Sequence, residues 1–211
     1  MPVDYDLPAE GMIYQRDQYA KGGVGRRYWD YRDARILRHL PRCGLILDAG
    51  CGEGITLERL VRERGERRLL GVDRSEENRQ ICVRHGLPVI GGSVFELGIR
   101  SNSVDACLFL EVIEHLDHPE AALREFARVL KVGGLLLVLF PNDLVFALAR
   151  LATGKWREAL YDPGHVKQWT PREMRRALAA AGFTVVAEES LPFRFWPISL
   201  HHLVVAKRRA D

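Results

Sequence analysis

Leu45-Ile46-Leu47-Asp48-Ala49-Gly50-Cys51-Gly52-Glu53-Gly54 is the stretch that decides the fold. It begins as an apolar run of strand length, reaches an acid, and becomes a glycine-rich loop. A helical pattern follows from Ile55 to about Arg64. Glycine at alternate positions removes Cβ atoms where a ligand approaches the backbone. Arg68-Leu69-Leu70-Gly71-Val72 is a second strand-like run, closed by Asp73 about twenty residues downstream. In a strand–helix–strand unit that acid comes to lie beside the loop, placed for both hydroxyls of a ribose. The chain therefore reads as a binder of a nucleoside-containing cofactor.

The loop also says which kind. In a dinucleotide fingerprint the third glycine comes one position later; here Ile55 stands in that place. Asp48 lies just ahead of the loop. A carboxylate there repels a pyrophosphate and attracts an ammonium. S-adenosylmethionine has the required parts: adenine and ribose at one end, an amino acid at the other, and no phosphate.

The blocks around the loop resemble, in order, the motifs of the class I S-adenosylmethionine-dependent methyltransferases. Leu47 to Gly54 is similar to the family's first motif, and Gly71-Val72-Asp73-Arg74-Ser75 to its second-strand motif. Gly92-Ser93-Val94-Phe95-Glu96-Leu97 through Asn102-Ser103-Val104-Asp105 resembles the third- and fourth-strand block. Glu111-Val112-Ile113-Glu114-His115-Leu116 resembles the segment after strand four, and Glu125 to Gly134 the helix and turn before strand five. The resemblance spans roughly residues 26 to 208. It implies a Rossmann-like α/β fold: a seven-stranded, mostly parallel sheet with helices on both faces and the last strand antiparallel. It also implies that Gly50 and Gly52 lie under the methionine part of the cofactor and Asp48 near its ammonium. Asp73 takes the ribose hydroxyls, Arg74 covers the adenine, and Ser93 and Val94 occupy the adenine edge, with Glu111 completing the cofactor set. Many relatives carry Asp where Ser93 stands; a serine hydroxyl still bonds the adenine amino group, as a neutral partner.

Composition agrees with one soluble domain, residues 1–211. The chain is 47% hydrophobic and 28% charged, and its net charge of +3 gives no field that argues for nucleic acid. No apolar run reaches the length of a membrane span. Cys43, Cys51, Cys82 and Cys107 form no C-x-x-C pair, which points away from zinc or a disulfide framework and toward a reducing cytoplasm. Residues 1–25 are weakly patterned, and Arg26–Leu40 reads as an amphipathic helix, so residues 1–40 form an N-terminal helical cap. The expected strands are about 44–48, 68–72, 87–90, 104–110 and 135–140. Helices are expected over 55–64, 75–85 and 119–130. Thr170 caps a last helix from Pro171 to Ala181, and Phe183–Ala187 and His202–Ala206 form a terminal strand pair.

Between strand five and that helix, residues 141–170 form an insertion containing Leu144, Val145, Phe146, Leu148, Leu151 and Trp156, with Arg150, Lys155 and Arg157. An insertion of this length reads as a lid over an apolar or anionic acceptor; an ordinary surface helix is the other reading. Tyr14, Tyr19, Tyr28 and Trp29 either close the cofactor from the N-terminal side or pack in the core.

Glu111, Glu114 and His115 are the sharpest reactive cluster. If the segment turns helically they share one face, and two carboxylates with an imidazole suit Mg²⁺ or Mn²⁺. His165 lies in His165-Val166-Lys167-Gln168-Trp169-Thr170, after the insertion. Glu-x-x-Glu-His is similar to a segment of the ubiquinone-pathway O-methyltransferases and of small-RNA terminal ribose methyltransferases. The latter also place a later histidine ahead of Trp-Thr, as here. Two roles stand: a metal site of Glu111, Glu114, His115 and His165, or His115 and His165 as bases. The expectation is a methyltransferase acting on a small molecule, at oxygen. The alternatives are a metal-assisted methylation of an RNA ribose, and a non-catalytic cofactor-binding partner subunit.

Overall fold

The computed structural model describes residues 15–42, 44–65, 68–152 and 165–210. Two helices, α1 (Gln15–Lys21) and α2 (Gly23–Leu37), precede the sheet. Then strands and helices alternate: β1 (Ile46–Ala49), α3 (Ile55–Arg64), β2 (Leu69–Asp73), α4 (Glu76–Arg84), β3 (Val89–Gly91), β4 (Val104–Leu110), α5 (Pro119–Val129) and β5 (Leu130–Pro141). After α6 (Asp143–Ala152) come α7 (Pro171–Ala180), β6 (Phe183–Leu191) and β7 (His201–Arg208). The seven strands lie in the order β3-β2-β1-β4-β5-β7-β6. β1 to β5 pair in parallel, and β7 runs antiparallel to both its neighbours. The order reverses between β1 and β4, and open parallel sheets bind ligands at the carboxyl side of such a reversal.

Each central strand sends alternate side chains to two separate cores. Leu47, Cys107, Phe109, Leu136 and Val138 pack on one face under α5 and α7, against Phe126, Met174 and Leu178. Ile46, Ala106, Leu108, Leu137 and Leu139 pack on the other against Ile36, Leu57 and Leu60 from α2 and α3. Burial on both faces is why β5 reads as an unbroken apolar run. Helix starts follow local chemistry. Ser75 accepts from the Asn78 amide at 3.3 Å to cap α4, and Thr170 and Glu173 form a reciprocal capping box at α7.

The structure changes three expectations. The weakly patterned N-terminus contains α1 from Gln15 onward. Its first amides are held by a side chain from elsewhere: Gln15 and Arg16 donate to the Glu53 carboxylate at 2.6 and 2.9 Å. β5 begins at Leu130, the expected last residue of the preceding helix, because Leu130 already pairs with Val104. β6 runs on to Leu191, as Leu191 pairs with His201. Of the insertion, α6 is described, whereas Trp156, Lys155 and Arg157 lie outside the described residues, as does Tyr14. Among the described residues no helix is long and apolar enough to cross a membrane.

Phe126 is fully buried, its ring 4.7 Å from that of Phe109 across the α5–β4 contact. Phe126→Ala should cost about 3–5 kcal/mol of stability, read as a lower midpoint of chemical denaturation.

Candidate active site at the sheet reversal

The carboxyl ends of β1, β2 and β4 carry three groups of residues. The glycine loop is tied to β2 by Gly50 and Cys51 amides that donate to Val72 O at 2.7 and 3.2 Å. Its glycines are not equivalent. A Cβ on Gly50 would meet Val112 at 2.6 Å, and one on Gly54 would meet Leu87 and Cys82 at 2.6 and 2.8 Å. A Cβ on Gly52 would meet nothing within 4 Å. The sequence pattern suggested three positions of close ligand approach. The structure leaves open space at Gly52 and fills the other two with its own side chains. All three have positive φ, so the turn itself requires glycine there.

Asp73 spans this loop and α4. Its Oδ2 accepts from Gly52 N at 2.7 Å, and its Oδ1 accepts from Ser75 N at 2.9 Å and Asn78 Nδ2 at 3.3 Å. Asp48 is nearly closed off from solvent, and no hydrogen bond reaches it from the described residues. Burial, then Asp33 and Asp73, push its carboxyl up to about 7. An acid this loaded is relieved by a cationic group, and the loop that follows Asp48 has open space at Gly52. This donor set fits a nucleoside that carries an ammonium. Arg74 is exposed, Val94 is half-buried, and Ser93 Oγ accepts from the Phe95 amide at 3.2 Å.

Glu111 follows β4 with φ 56°, a left-handed conformation that a side-chain-bearing residue holds only when its surroundings fix it. Its surroundings do. Arg32 Nη1 donates to Oε2 at 2.7 Å and His201 Nε2 to Oε1 at 2.5 Å, while the Tyr28 hydroxyl meets His201 Nδ1 at 2.6 Å. Burial works to raise the Glu111 carboxyl, but Arg32 and His201 outweigh it and hold it well below the usual range. Arg32 also bonds Asp33 at 2.9 Å, and Asp33 lies 3.4 Å from Arg59. Residues from α2, α3, β4 and β7 are thereby joined in one charged ladder.

The third group forms on the turn after β4, where Ile113–His115 make one 3-10 turn rather than a longer helix. Val166 and Lys167 amides donate to the Glu114 carbonyl at 2.8 and 3.1 Å, which draws in the chain after the insertion. The His115 and His165 rings meet edge-on, 4.9 Å between centroids. One ligand atom from each of Glu114, His115 and His165 lies within 4.8 Å of the others. Glu111, expected among these ligands, is not in the group: its positive φ and its bonds to Arg32 and His201 turn it away. His165 Nδ1 lies 2.8 Å from Asp143 Oδ1. A carboxylate only accepts, so Nδ1 carries a hydrogen, and in the neutral ring Nε2 is the acceptor nitrogen. Glu114 is 2% exposed, its Oε2 has no hydrogen-bond partner among the described residues, and burial pushes its carboxyl up to about 8.

Sequence reasoning missed Arg32, Asp143 and His201 as site residues. None lies in a motif. His201 is ninety residues from Glu111, and only the insertion of β7 next to β5 brings it there. A separate cleft of about 490 Å³ between α1, α3 and α4 includes Glu53 but neither Asp48 nor Asp73.

Residues 47–138 match the family model described as a methyltransferase domain. A Mycobacterium tuberculosis protein named "Probable S-adenosylmethionine-dependent methyltransferase" is 33% identical over 76% of this chain and 57% of its own length. The chain thus spans less than two thirds of that relative. A Rhizobium rhizogenes ubiquinone biosynthesis O-methyltransferase is 28% identical over 93% of this chain and 83% of its own. The fold is shared with a crystal structure of a SAM-dependent methyltransferase from Archaeoglobus fulgidus, with TM-score 0.71 and 19% identity over 93% of this chain and 100% of that one.

Asp48 generates a pH prediction. Its carboxyl rises from 3.8 to about 7 on folding, so the native state binds the extra proton between those values. Its contribution is therefore favourable below about pH 4 and is lost as pH rises toward 7. Asp48→Asn should remove this loss. Denaturation curves at pH 5 and pH 8 should show the variant gaining stability relative to the native chain at the higher pH.

Proposed function

The chain belongs to the class I S-adenosylmethionine-dependent methyltransferases, and we propose that it methylates a hydroxyl group of a small molecule. The observation that carries this reading is His165, oriented by Asp143 beside Glu114 and His115 at the carboxyl end of the sheet. When bound, S-adenosylmethionine supplies an electrophilic methyl on a sulfonium. In this reading Asp48 meets its ammonium, Asp73 its ribose hydroxyls, and the open face of Gly52 its amino-acid arm. Arg74, Ser93 and Val94 lie at the adenine, and Gly50 and Glu111 shape the wall opposite.

Methyl transfer needs donor and acceptor collinear and water excluded. A hydroxyl acceptor must also lose its proton. His165 Nε2 takes that proton, and Asp143 stabilises the resulting imidazolium through Nδ1–H. Buried Glu114, with its carboxyl raised toward 8, keeps a proton near neutrality and donates it as a hydrogen bond. α6 bounds the site as a lid: Phe146 packs edge-on against His201, while Leu144 and Leu148 present exposed apolar surface for the acceptor. The printed name of the Rhizobium rhizogenes relative supports oxygen as the acceptor atom.

A second reading follows from the orphaned Glu114 Oε2. Glu114, His115 and His165 together offer the ligand atoms for Mg²⁺ or Mn²⁺, whose chemistry there would be to lower the acceptor hydroxyl's pKa. That site also suits the ribose-methylating alternative, against which the small net charge counts. A non-catalytic cofactor-binding subunit is the remaining alternative.

Two outcomes are expected. Asp73→Ala removes a carboxylate that makes charge-assisted hydrogen bonds worth roughly 1.5–3 kcal/mol each. Calorimetry should show S-adenosylhomocysteine affinity down at least tenfold, and unchanged affinity in a folded variant removes Asp73 from the site. In an acceptor screen that reads S-adenosylhomocysteine release, hydroxyl compounds should turn over, with His165→Ala slower by about 10²-fold or more. Turnover that survives EDTA selects the base, whereas loss with EDTA and recovery with Mn²⁺ selects the metal. Exclusive methylation of amines would overturn the oxygen assignment, and no turnover with any acceptor would leave the non-catalytic subunit.

A further inference from the structure

Two thiols converge beneath the glycine loop. Cys51 belongs to the loop and is half-buried, whereas Cys82 comes from α4 and is fully buried. Both sulfurs address one oxygen: Cys82 Sγ lies 3.4 Å from Gly52 O, and Cys51 Sγ 3.8 Å from it. The space around them is full. A Cβ on Gly54 would come 2.8 Å from Cys82 Sγ, and one on Gly71 would come 2.8 Å from Cys51 Sγ. The sulfurs are thus held together by glycines that leave just enough room for them. The neighbouring thiol is the largest influence on the ionisation of each, raising the pKa at Cys51 and lowering it at Cys82. By contrast Cys107 is fully buried, and burial raises its thiol well above the usual range.

Gly52 is the residue through which the thiols touch the site. Its amide holds Asp73 at 2.7 Å, its carbonyl takes both S–H groups, and its Cα faces the open space. We propose that Cys51 and Cys82 are a reversible oxidation site, closing to a disulfide under a hydroperoxide and thereby disabling the glycine loop for nucleoside binding. One thiolate attacks the peroxide, becomes a sulfenic acid and expels hydroxide, which takes up a proton. The second thiol then forms the S–S bond and displaces the sulfenic oxygen as water. Two thiols lose two electrons and two protons, and hydrogen peroxide becomes two waters. The bond removes both donors from Gly52 O and ties the loop to α4, so Gly52 N no longer stays aligned on Asp73.

The switch rests on the nucleoside-binding reading of the loop. Its test uses the full chain, reduced or treated with hydrogen peroxide, with S-adenosylhomocysteine affinity read by calorimetry and thiol pairing by peptide mass mapping. The expected result is a Cys51–Cys82 linked peptide, at least tenfold weaker binding, and recovery with dithiothreitol. Cys82→Ser and Cys82→Ala should each form no such link and keep the same affinity before and after peroxide; whichever folds serves. Absence of the linked peptide overturns the proposal, as does a link with unchanged affinity. An equal loss in the Cys82 variants also overturns it, since another residue would then be the target. If the reduced protein does not bind S-adenosylhomocysteine at all, the cofactor reading falls and takes the switch with it.

Discussion

Negative charge gathered at one sheet edge is the constraint on which the rest of this structure depends. Asp33, Asp48, Asp73 and Glu114 are all buried there, with Glu111 beside them. Among the described residues the buried arginines are Arg32 and Arg59. Unpaired carboxylates in such surroundings are costly, and the usual outcomes are protonation or a cationic partner. Both occur in the pKa directions. Glu111, bonded by Arg32 and His201, is held low, while Asp48 and Glu114, without such partners, are pushed to about 7 and about 8. The two in which burial outweighs the nearby cation, Arg32 for Asp48 and His165 for Glu114, are those that face ligand space in the proposed mechanism, one toward an ammonium and the other toward the acceptor.

The same ladder explains how the N-terminal helices belong to the site. The sequence reads Arg26–Leu40 as amphipathic, but α2, which spans Gly23–Leu37, has little such patterning; its Arg32 and Asp33 are buried because they complete charge pairs with Glu111 and with Arg59 of α3. α1 is anchored by Glu53, a residue of the glycine loop. The loop therefore bears several loads at once. It positions Asp73, caps α1, and accepts two thiols at Gly52. A shift of this loop is felt by α1 and by Asp73 together, which is why the cysteines beneath it are proposed as a control point.

Base and metal readings of the third group share one geometric cause. Backbone bonds from Val166 and Lys167 to Glu114 O clasp the returning chain onto the turn after β4. His165 then has Asp143 on Nδ1 and a ring nitrogen within 4.8 Å of ligand atoms of His115 and Glu114. A bound cation and a proton compete for the same atoms, so the response to EDTA separates chemistries that the arrangement of side chains alone leaves equivalent.

The sequence by itself determined the parallel sheet, because the apolar runs, the helical periods and the turn residues are local properties. Ile55–Arg64 and Val104–Leu110 are read to the residue, and Ser75 and Thr170 are caps by their own chemistry. That Asp48, the loop and Asp73 come together was legible because their meeting is fixed by distance along the chain within one strand–helix–strand unit. What the tertiary structure decided depends on contacts between distant segments. It separated Glu111 from Glu114 and His115, since the turn after β4 is too short to stack them and Arg32 and His201 capture the first. It joined Asp143 to His165, left open space at Gly52 rather than at Gly50 or Gly54, and placed Cys82 under the loop. Local sequence sets which groups are present; only packing sets which of them meet.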